Sequence, residues 1–582
     1  MTPLTDRRWR LRETDAGFAA ALSASSGISP AVARILASRG IDSEESAGRF
    51  VNPALAEFHD PFLLAGMERA VARLVDAIHR GETVCVYGDY DVDGITAVSL
   101  LISFFRELAI PCFYHIPLRL EDGYGLSADG LRTVAAQGAQ VVVTVDCGVS
   151  ASAEAEVASA LGLDLIITDH HTPPETLPVA YAVINPLRKD SLFPCRFLAG
   201  VGVAFNLMIA LRSRLREEGY FAERLEPDLR TYLDLVALGT IADIVPLLDE
   251  NRTLVRYGLK VLETSRRPGI QALKAVAGVT GEVTCGAVGF RLAPRLNAAG
   301  RLEDAALGVE LLLSDDPAEA SRIAAELDAS NAERQNIERE ILQDALKMIS
   351  KGAMQGRRSI VLASAEWHPG VIGIVASRIV DLFHRPTVLI ALQDGSGRGS
   401  GRSIPGFHLY QALQSCSNLL LKFGGHRQAA GLAIDEATLQ AFVERFDEVA
   451  AGELTEEDLT PELLLDGELT PGDISIGLVD EIASLQPFGM GNPEPIFLLQ
   501  GANVVETRTL KGEHLKMRIS AGGKLQDAIA FGMAGRQIPD RIDLAVSLQI
   551  NEWNGRKTLQ LRIKDMRPSL DEPHHKGQMH HG

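Results

Sequence analysis

Gly88-Asp89-Tyr90-Asp91-Val92-Asp93-Gly94 follows directly on Thr83-Val84-Cys85-Val86-Tyr87. The β-branched and aromatic run has the pattern of a buried strand, and it leads into three alternate aspartates closed by a glycine. Carboxylates at the end of a buried strand are costly without a cation, because burial penalises unpaired charge. Asp-x-Asp-x-Asp-Gly also opens a helix-loop-helix calcium loop, but that loop needs a preceding helix and a glutamate at its twelfth position. Here a strand precedes and the twelfth position is Leu100. The stretch therefore reads as a strand-end metal site whose other ligands lie elsewhere, with Gly94 turning the chain into the helix behind it.

Outward from this stretch, strand and helix alternate. Residues 95–108 read as a helix, 112–116 as a strand, 127–137 as a helix, 141–145 as a strand, 151–161 as a helix and 164–168 as a strand. Near-continuous apolar strands between helices predict an α/β fold with a parallel sheet covered on both faces. The second of these strands ends at Asp146-Cys147-Gly148 and the third at Asp169-His170-His171. In a parallel sheet the carboxyl ends of neighbouring strands face one crevice. Asp89, Asp91, Asp93, Asp146 and the Asp169-His170-His171 group can therefore converge. A further candidate is Asp243, which ends the apolar helix in Leu238-Gly239-Thr240-Ile241-Ala242-Asp243-Ile244-Val245-Pro246. Any one of these aspartates reads equally well as a cap or turn residue; three strand ends carrying Asp or His together do not. Hard oxygen ligands with one or two imidazoles suit manganese or magnesium. Four ligating aspartates balance two divalent ions, and such a pair supports in-line phosphoryl displacement by water.

Taken in order, Gly-Asp-Tyr-Asp-Val-Asp-Gly, Val-Asp-Cys-Gly, Asp-His-His and Gly-Thr-Ile-Ala-Asp resemble the DHH phosphoesterase superfamily. Further motifs narrow the resemblance to its single-strand-specific DNA exonucleases. These are Pro117-Leu118-Arg119 with Asp122-Gly123-Tyr124-Gly125-Leu126, and Ala293-Pro294-Arg295-Leu296-Asn297-Ala298-Ala299-Gly300-Arg301. Trp367-His368-Pro369-Gly370-Val371-Ile372-Gly373 and Phe423-Gly424-Gly425-His426 belong with them. The resemblance implies two divalent cations, Mn2+ or Mg2+, held by Asp91, Asp93, Asp146, His170 and Asp243, with Asp89 and His171 beside them. It implies that Arg119, Ser400 and Arg402 hold the terminal 5′-phosphate, and that His426, in Gly424-Gly425-His426, reaches the scissile phosphate. For Arg295 and Arg301, which alone read as surface salt bridges, it implies phosphate contact by at least one. The activity implied is 5′→3′ digestion of single-stranded DNA in repair and recombination, with a single-strand-binding protein and a helicase as partners. The rival readings are a DHH hydrolase of small phosphoesters and a DNA-binding scaffold without metals. The complete ligand set opposes the second; the length and the added C-terminal β region oppose the first.

The 582 residues exceed what one core can organise. The expected division is a helical, peripheral segment over 1–60, the catalytic lobe over 61–260 and a connector over 261–356. A second α/β lobe over 357–455, an OB-like barrel over 461–568 and a disordered tail over 569–582 follow. In the connector, Arg295-Leu296-Asn297 reads as a loop, and Asp316-Pro317 opens a long helix that joins the lobes. In the second lobe, residues 395–403 (Gly-Ser-Gly-Arg-Gly-Ser-Gly-Arg-Ser) read as a phosphate-binding loop. In the barrel, Arg508, Lys511, Lys516, Arg518, Arg556, Lys557, Arg562 and Lys564 are candidates for a single-strand groove, and solvated strand faces account for about half of them. The net charge of −19 opposes generic binding of nucleic acid but leaves room for a local basic face. Six scattered cysteines, no signal segment and no membrane-length apolar run predict a cytoplasmic protein away from the membrane, and a monomer is expected.

Overall fold

The computed structural model describes residues 7–117, 125–302, 305–553 and 555–569. Arg119, Asp122-Gly123-Tyr124 and the tail from residue 570 lie outside the described residues. The chain divides into two units, one spanning 55–461 and the other joining 8–54 to the chain from Glu462 onward.

Strand β1 (Arg8–Leu11) belongs to the second unit, where it pairs in parallel with Glu462–Leu465. The indole N–H of Trp9 donates to Asp565 at 2.9 Å, and the Arg567 guanidinium lies 4.4 Å from the centre of the Trp9 ring. The helices Ala16–Ser26, Pro30–Ser38 and Glu44–Val51 that follow agree with the helical expectation for this segment, and the strand before them departs from it. Arg-Trp-Arg-Leu has too few apolar residues to announce a strand, and its partner lies more than four hundred residues away.

The first lobe is a five-stranded parallel sheet of β2 (Val84–Gly88), β3 (Cys112–His115), β4 (Val141–Val145), β5 (Asp164–Thr168) and β6 (Ala182–Ile184), in the order β3-β2-β4-β5-β6. Alternate side chains feed two cores. Val84, Val86, Val141, Val143 and Val145 face one; Cys85, Tyr87, Val142, Leu165 and Ile167 face the other. The strand order reverses between β2 and β4, and the crevice at such a switch point is where this class of sheet binds ligands.

Asp316 caps the long helix Pro317–Met348 by accepting the Ala318 N–H at 2.9 Å. Its residues Ile323 and Leu327 pack into the first lobe's core, and Ile341 and Ala345 into the second's. The Arg295 segment is helical, as part of Ala293–Leu302, rather than a loop. Its small residues are buried: Leu296, Ala298 and Ala299 are fully inaccessible to solvent.

The second lobe's sheet comprises β7 (Ile360–Ser364), β8 (Thr387–Gln393), β9 (Ser396–Arg402), β10 (Lys422–Gly425) and β11 (Ala429–Asp435), in the order β10-β11-β9-β8-β7. The expected Gly/Ser loop is thus the central strand. Asp394 and Gly395, with φ of +50° and +76°, make the tight turn from β8. The glycines of β9 alternate onto one face, where side chains would collide with the core. A Cβ at Gly397 would lie 2.6 Å from Ile390, and one at Gly399 2.7 Å from Leu432. Arg398, Ser400 and Arg402 take the opposite face.

In the second unit, β12 (Glu462–Leu465) and β13 (Gly467–Glu468) precede a barrel of β14 (Phe497–Leu510), β15 (His514–Ala521), β16 (Lys524–Ala530), β17 (Arg541–Trp553) and β18 (Arg556–Pro568). The barrel order is β14-β15-β16-β18-β17, and β17 pairs back onto β14 to close it. This is an OB-type topology.

Gly399→Val is expected to lower the stability of the second lobe by about 1–3 kcal/mol through overpacking. Ser400→Ala, a smaller side chain on the opposite face, removes only the hydroxyl contact with Arg402 and should cost about 1 kcal/mol or less. Thermal unfolding followed by circular dichroism separates the two.

Candidate metal centre and substrate contacts

The opening stretch carries its aspartates on the turn and first helical residues after β2. Asp91 is the N-cap of the helix Val92–Glu107, its carboxylate accepting the N–H groups of Asp93 (2.9 Å) and Gly94 (3.1 Å). Gly94 therefore sits inside the first helical turn. Its role is close packing, since a Cβ there would lie 2.4 Å from the Asp89 carbonyl. Asp93 is buried, and its two oxygens accept the N–H groups of Gly200 (2.6 Å) and Val201 (2.8 Å) at the start of the helix Gly200–Glu217. Asp146 follows β4 with φ +61°, and Gly200 packs so closely on it that a Cβ would sit 2.6 Å from its own. Asp243 is the C-cap of the helix Leu233–Ala242.

His170 joins these carboxylates. Its Nε2 lies 3.1 Å from Asp146, 3.5 Å from Asp243 and 3.9 Å from Asp93. Yet Nε2 of His170, Oδ1 of Asp146 and Oδ2 of Asp243 are buried and make no hydrogen bond, because the groups are close but not aligned for one. Buried polar atoms are normally satisfied, so three orphans aimed at one point fit a cation. Two ligand sets lie within reach, Asp93-His170-Asp243 and Asp89-Asp91-Asp146, and Asp146 also groups with His170 and His171. Asp146 thus stands between the two sets. Asp89 is as well placed as the other carboxylates of its set.

The electrostatics follow from this crowding. Burial, then the charge of Asp91, pushes Asp93 up to about 7 against the pull of the Gly200 and Val201 N–H groups. Burial and the neighbouring Asp93 and Asp91 push Asp243 up to about 9, and burial with four nearby carboxylates holds Asp146 well above its ordinary value. The adjacent histidines diverge. Burial and the charge of His171 lower His170 to about 4, which leaves it a neutral ligand. Burial opposes charge on His171 too, but its 2.8 Å bond to Asp169 outweighs that and raises it to about 9. Asp169 itself is held low despite burial by His171 and by N–H donors including Val149. Its role as the fixed anion that orients both histidines was hidden in the sequence, where it stands beside them as one more candidate ligand. The Gly200 and Val201 N–H donors were likewise missed; the Gly-x-Gly opening of that helix was their only signal.

In the second lobe, Arg402 donates to the Ser400 hydroxyl at 3.1 Å and to the Gly401 carbonyl at 2.8 Å. Both side chains border Gly373, whose hypothetical Cβ would lie 2.8 Å from Ser400 Oγ and 3.0 Å from Arg402. Gly373 opens the helix Ile372–Phe383, so hydroxyl, guanidinium and helix N-terminus share one small space suited to an anion. Gly424 and Gly425 end β10, and His426 is exposed in the turn, its N–H donating to Ala429. Arg295 is committed elsewhere, to Asp328 at 2.8 Å and to the Arg291 carbonyl at 2.6 Å. The structure ties it to the long helix, as a salt bridge. The Arg301 side chain lies outside what the structure describes.

On the barrel, Lys516, Ile529 and Arg562 lie side by side on adjacent strands. Arg562 stacks 5.3 Å from the centre of the half-exposed Phe531 ring, with His514 against its edge at 5.1 Å. Arg508, Lys511, Arg518 and Lys557 are exposed, whereas Lys564 is paired with Glu494 at 2.7 Å. The Arg556 side chain lies outside the described residues.

The DHH family N-terminal domain matches residues 83–240 and the DHHA1 domain matches 356–452, which defines the two lobes as those of a DHH-family protein. The RecJ OB domain matches 465–565. The single-stranded-DNA-specific exonuclease RecJ of Escherichia coli (strain K12) is 42% identical over 561 residues, spanning 93% of this chain and 96% of that protein. The RecJ of Bacillus subtilis (strain 168) is 40% identical over 567 residues, spanning 96% and 70%. The crystal structure of RecJ from Thermus thermophilus in complex with Mn2+ superposes with a TM-score of 0.83 at 35% identity, covering 97% of this chain and 80% of that one. Its complex with Mg2+ gives 0.77 at 34% identity, covering 97% and 79%. The chain belongs to the RecJ family of DHH-type exonucleases.

Raised carboxyl groups contribute stability that is full below the unfolded value of about 3.9 and is lost as pH rises through the folded value. With Asp93 near 7 and Asp243 near 9, the metal-free protein is expected to lose stability between pH 4 and 9 from this source. A divalent cation relieves the same repulsion. Saturating Mn2+ should therefore raise Tm more at pH 8.5 than at pH 6, as read by differential scanning fluorimetry. A larger rise at pH 6 would contradict the assignment.

Proposed function

We propose that this chain is a single-stranded-DNA-specific 5′→3′ exonuclease that hydrolyses phosphodiesters with two divalent cations, Mn2+ or Mg2+. The observation that carries this reading is the pair of ligand sets meeting at Asp146, beside orphaned buried atoms of His170 and Asp243. The ligands are Asp89, Asp91, Asp93, Asp146, His170 and Asp243. When bound, the cations supply Lewis acidity for water and for the departing oxygen. The chain's own residues hold those positions rigid. Gly200 and Val201 fix Asp93, and Asp169 fixes the ring of His171, which as a cation complements the charge of a phosphodiester.

Ser400, Arg402 and the helix start at Gly373 form the subsite for the terminal 5′-phosphate, joined by Arg119. An end-phosphate pocket sets the register of the strand, so that hydrolysis proceeds from an end. His426 and the flanking Gly424-Gly425 approach the scissile phosphate, and Arg301 contacts the strand. The barrel contributes single-strand contacts of its own through Phe531, Arg562 and Lys516, aromatic and basic groups that contact any base sequence. An acidic chain with a basic barrel face accords with nucleic-acid binding at localised basic sites. A substrate of this kind is produced by a helicase and coated by a single-strand-binding protein, and we assign both as partners in cytoplasmic DNA repair and recombination.

With Mn2+, a linear 5′-phosphorylated single strand is expected to be degraded and a circular single strand to persist; equal digestion of the circle would exclude the end-phosphate register. Arg402→Ala should raise KM for the phosphorylated strand by about tenfold or more, the equivalent of one charge-assisted hydrogen bond. Asp146→Ala should abolish turnover in the same gel assay. Phe531→Ala should weaken binding of a long strand in fluorescence anisotropy about equally for all sequences.

A further inference from the structure

The helix that delivers Asp243 ends in an unusual way. Ile244, the next residue, has φ +59°, a conformation that helix ends normally give to glycine and that a β-branched side chain adopts only under strain. Ile244 is also 69% exposed, so burial does not offset the strain. Strained residues that persist are over-determined by their surroundings and cluster at functional sites.

The surroundings here include one buried amide. Nδ2 of Asn251, which is inaccessible to solvent, donates to the carbonyl of Pro246 at 3.0 Å and also to the carbonyl of Phe197. That nitrogen clamps two short segments together. One runs from Asp243 through Ile244 to Pro246. The other runs from Phe197 to Gly200 and Val201, whose N–H groups hold Asp93. Each segment touches the metal centre and displays an apolar side chain to solvent, Phe197 being 49% exposed. Consecutive Cα atoms are about 3.8 Å apart, which puts Ile244 within a nucleotide's reach of the ligand beside it.

We propose that Ile244 and Phe197 form an apolar wall against which the nucleobase next to the scissile phosphate packs. Its occupant follows from its place: a strand whose phosphate lies at Asp243 and Asp93 carries a base within reach of these two side chains. Apolar contact with a base face is independent of sequence, as progressive digestion of any strand requires. The proposal rests on the exonuclease reading and adds two positioning residues to it.

The test compares a 5′-phosphorylated strand of natural bases with the same strand carrying abasic tetrahydrofuran residues at its first positions, using the full chain and Mn2+. Ile244→Gly fits the left-handed conformation freely and should keep or raise Tm. It should nevertheless raise KM for the natural strand about tenfold, the weight of burying one aliphatic side chain against a base, with kcat little changed. Ile244→Val should keep wild-type values. On the abasic strand, wild type, Ile244→Gly and Phe197→Ala should share one KM. A wild-type KM for Ile244→Gly on the natural strand, or an equal effect of the substitution on both strands, would overturn the wall. Wild type cleaving both strands with the same KM would overturn it and leave the exonuclease reading standing. Wild type cleaving neither strand would remove that reading and the wall with it.

Discussion

Several carboxylates share one buried point at the end of a parallel sheet, and much of the first lobe is arranged around that constraint. Two like charges 4 Å apart repel by about 4 kcal/mol even in a partly polarisable protein interior. Burial first, and that repulsion after it, hold Asp93, Asp146 and Asp243 well above the ordinary carboxylate range in the metal-free chain. A purely structural core would have no use for such an arrangement, because apolar residues of the same volume pack there at no electrostatic cost. The fold instead spends a helix start on Asp93 and a left-handed backbone on Asp146 to hold the group together.

The same constraint explains how neighbouring residues of one motif differ. His170 and His171 are adjacent, with ring centres 4.5 Å apart. One is forced neutral by burial among the ligands, and the other is kept charged by Asp169. The division suits a site that needs a lone pair toward a cation and a positive charge toward a phosphodiester. Asp169 serves both, because its oxygens also accept the backbone N–H groups of His170 and His171. A single buried carboxylate thereby holds the backbone of both residues and the ring of His171.

Much of the site was legible in the sequence because it lies at the ends of apolar strands, where a polar residue stands out. Asp146 and His170 were found in this way, and the structure brings both to the point where Asp91 and Asp93 were expected. What escaped depends on long-range partners or on backbone donors. The pairing of β1 with β12 joins a short charged segment to a short leucine run more than four hundred residues away, and local periodicity carries no trace of it. Residues 395–403 were read as a loop because glycine is rare in strands; their strict alternation and the Asp394-Gly395 turn were the signals of a strand packed too tightly for side chains. Arg295 was read through its motif, whereas its partner Asp328 lies on a helix whose packing only the structure reveals.

Counting the cations bound tests the shared-carboxylate centre most directly. Equilibrium dialysis of the full chain against Mn2+ at pH 8, with elemental analysis of the protein compartment, is expected to show two ions per chain. Asp146→Asn preserves shape and removes one charge from both ligand sets, and it is expected to hold fewer than one. A wild-type protein that binds a single ion, or an Asp146→Asn variant that still binds two, would contradict a centre organised around that carboxylate.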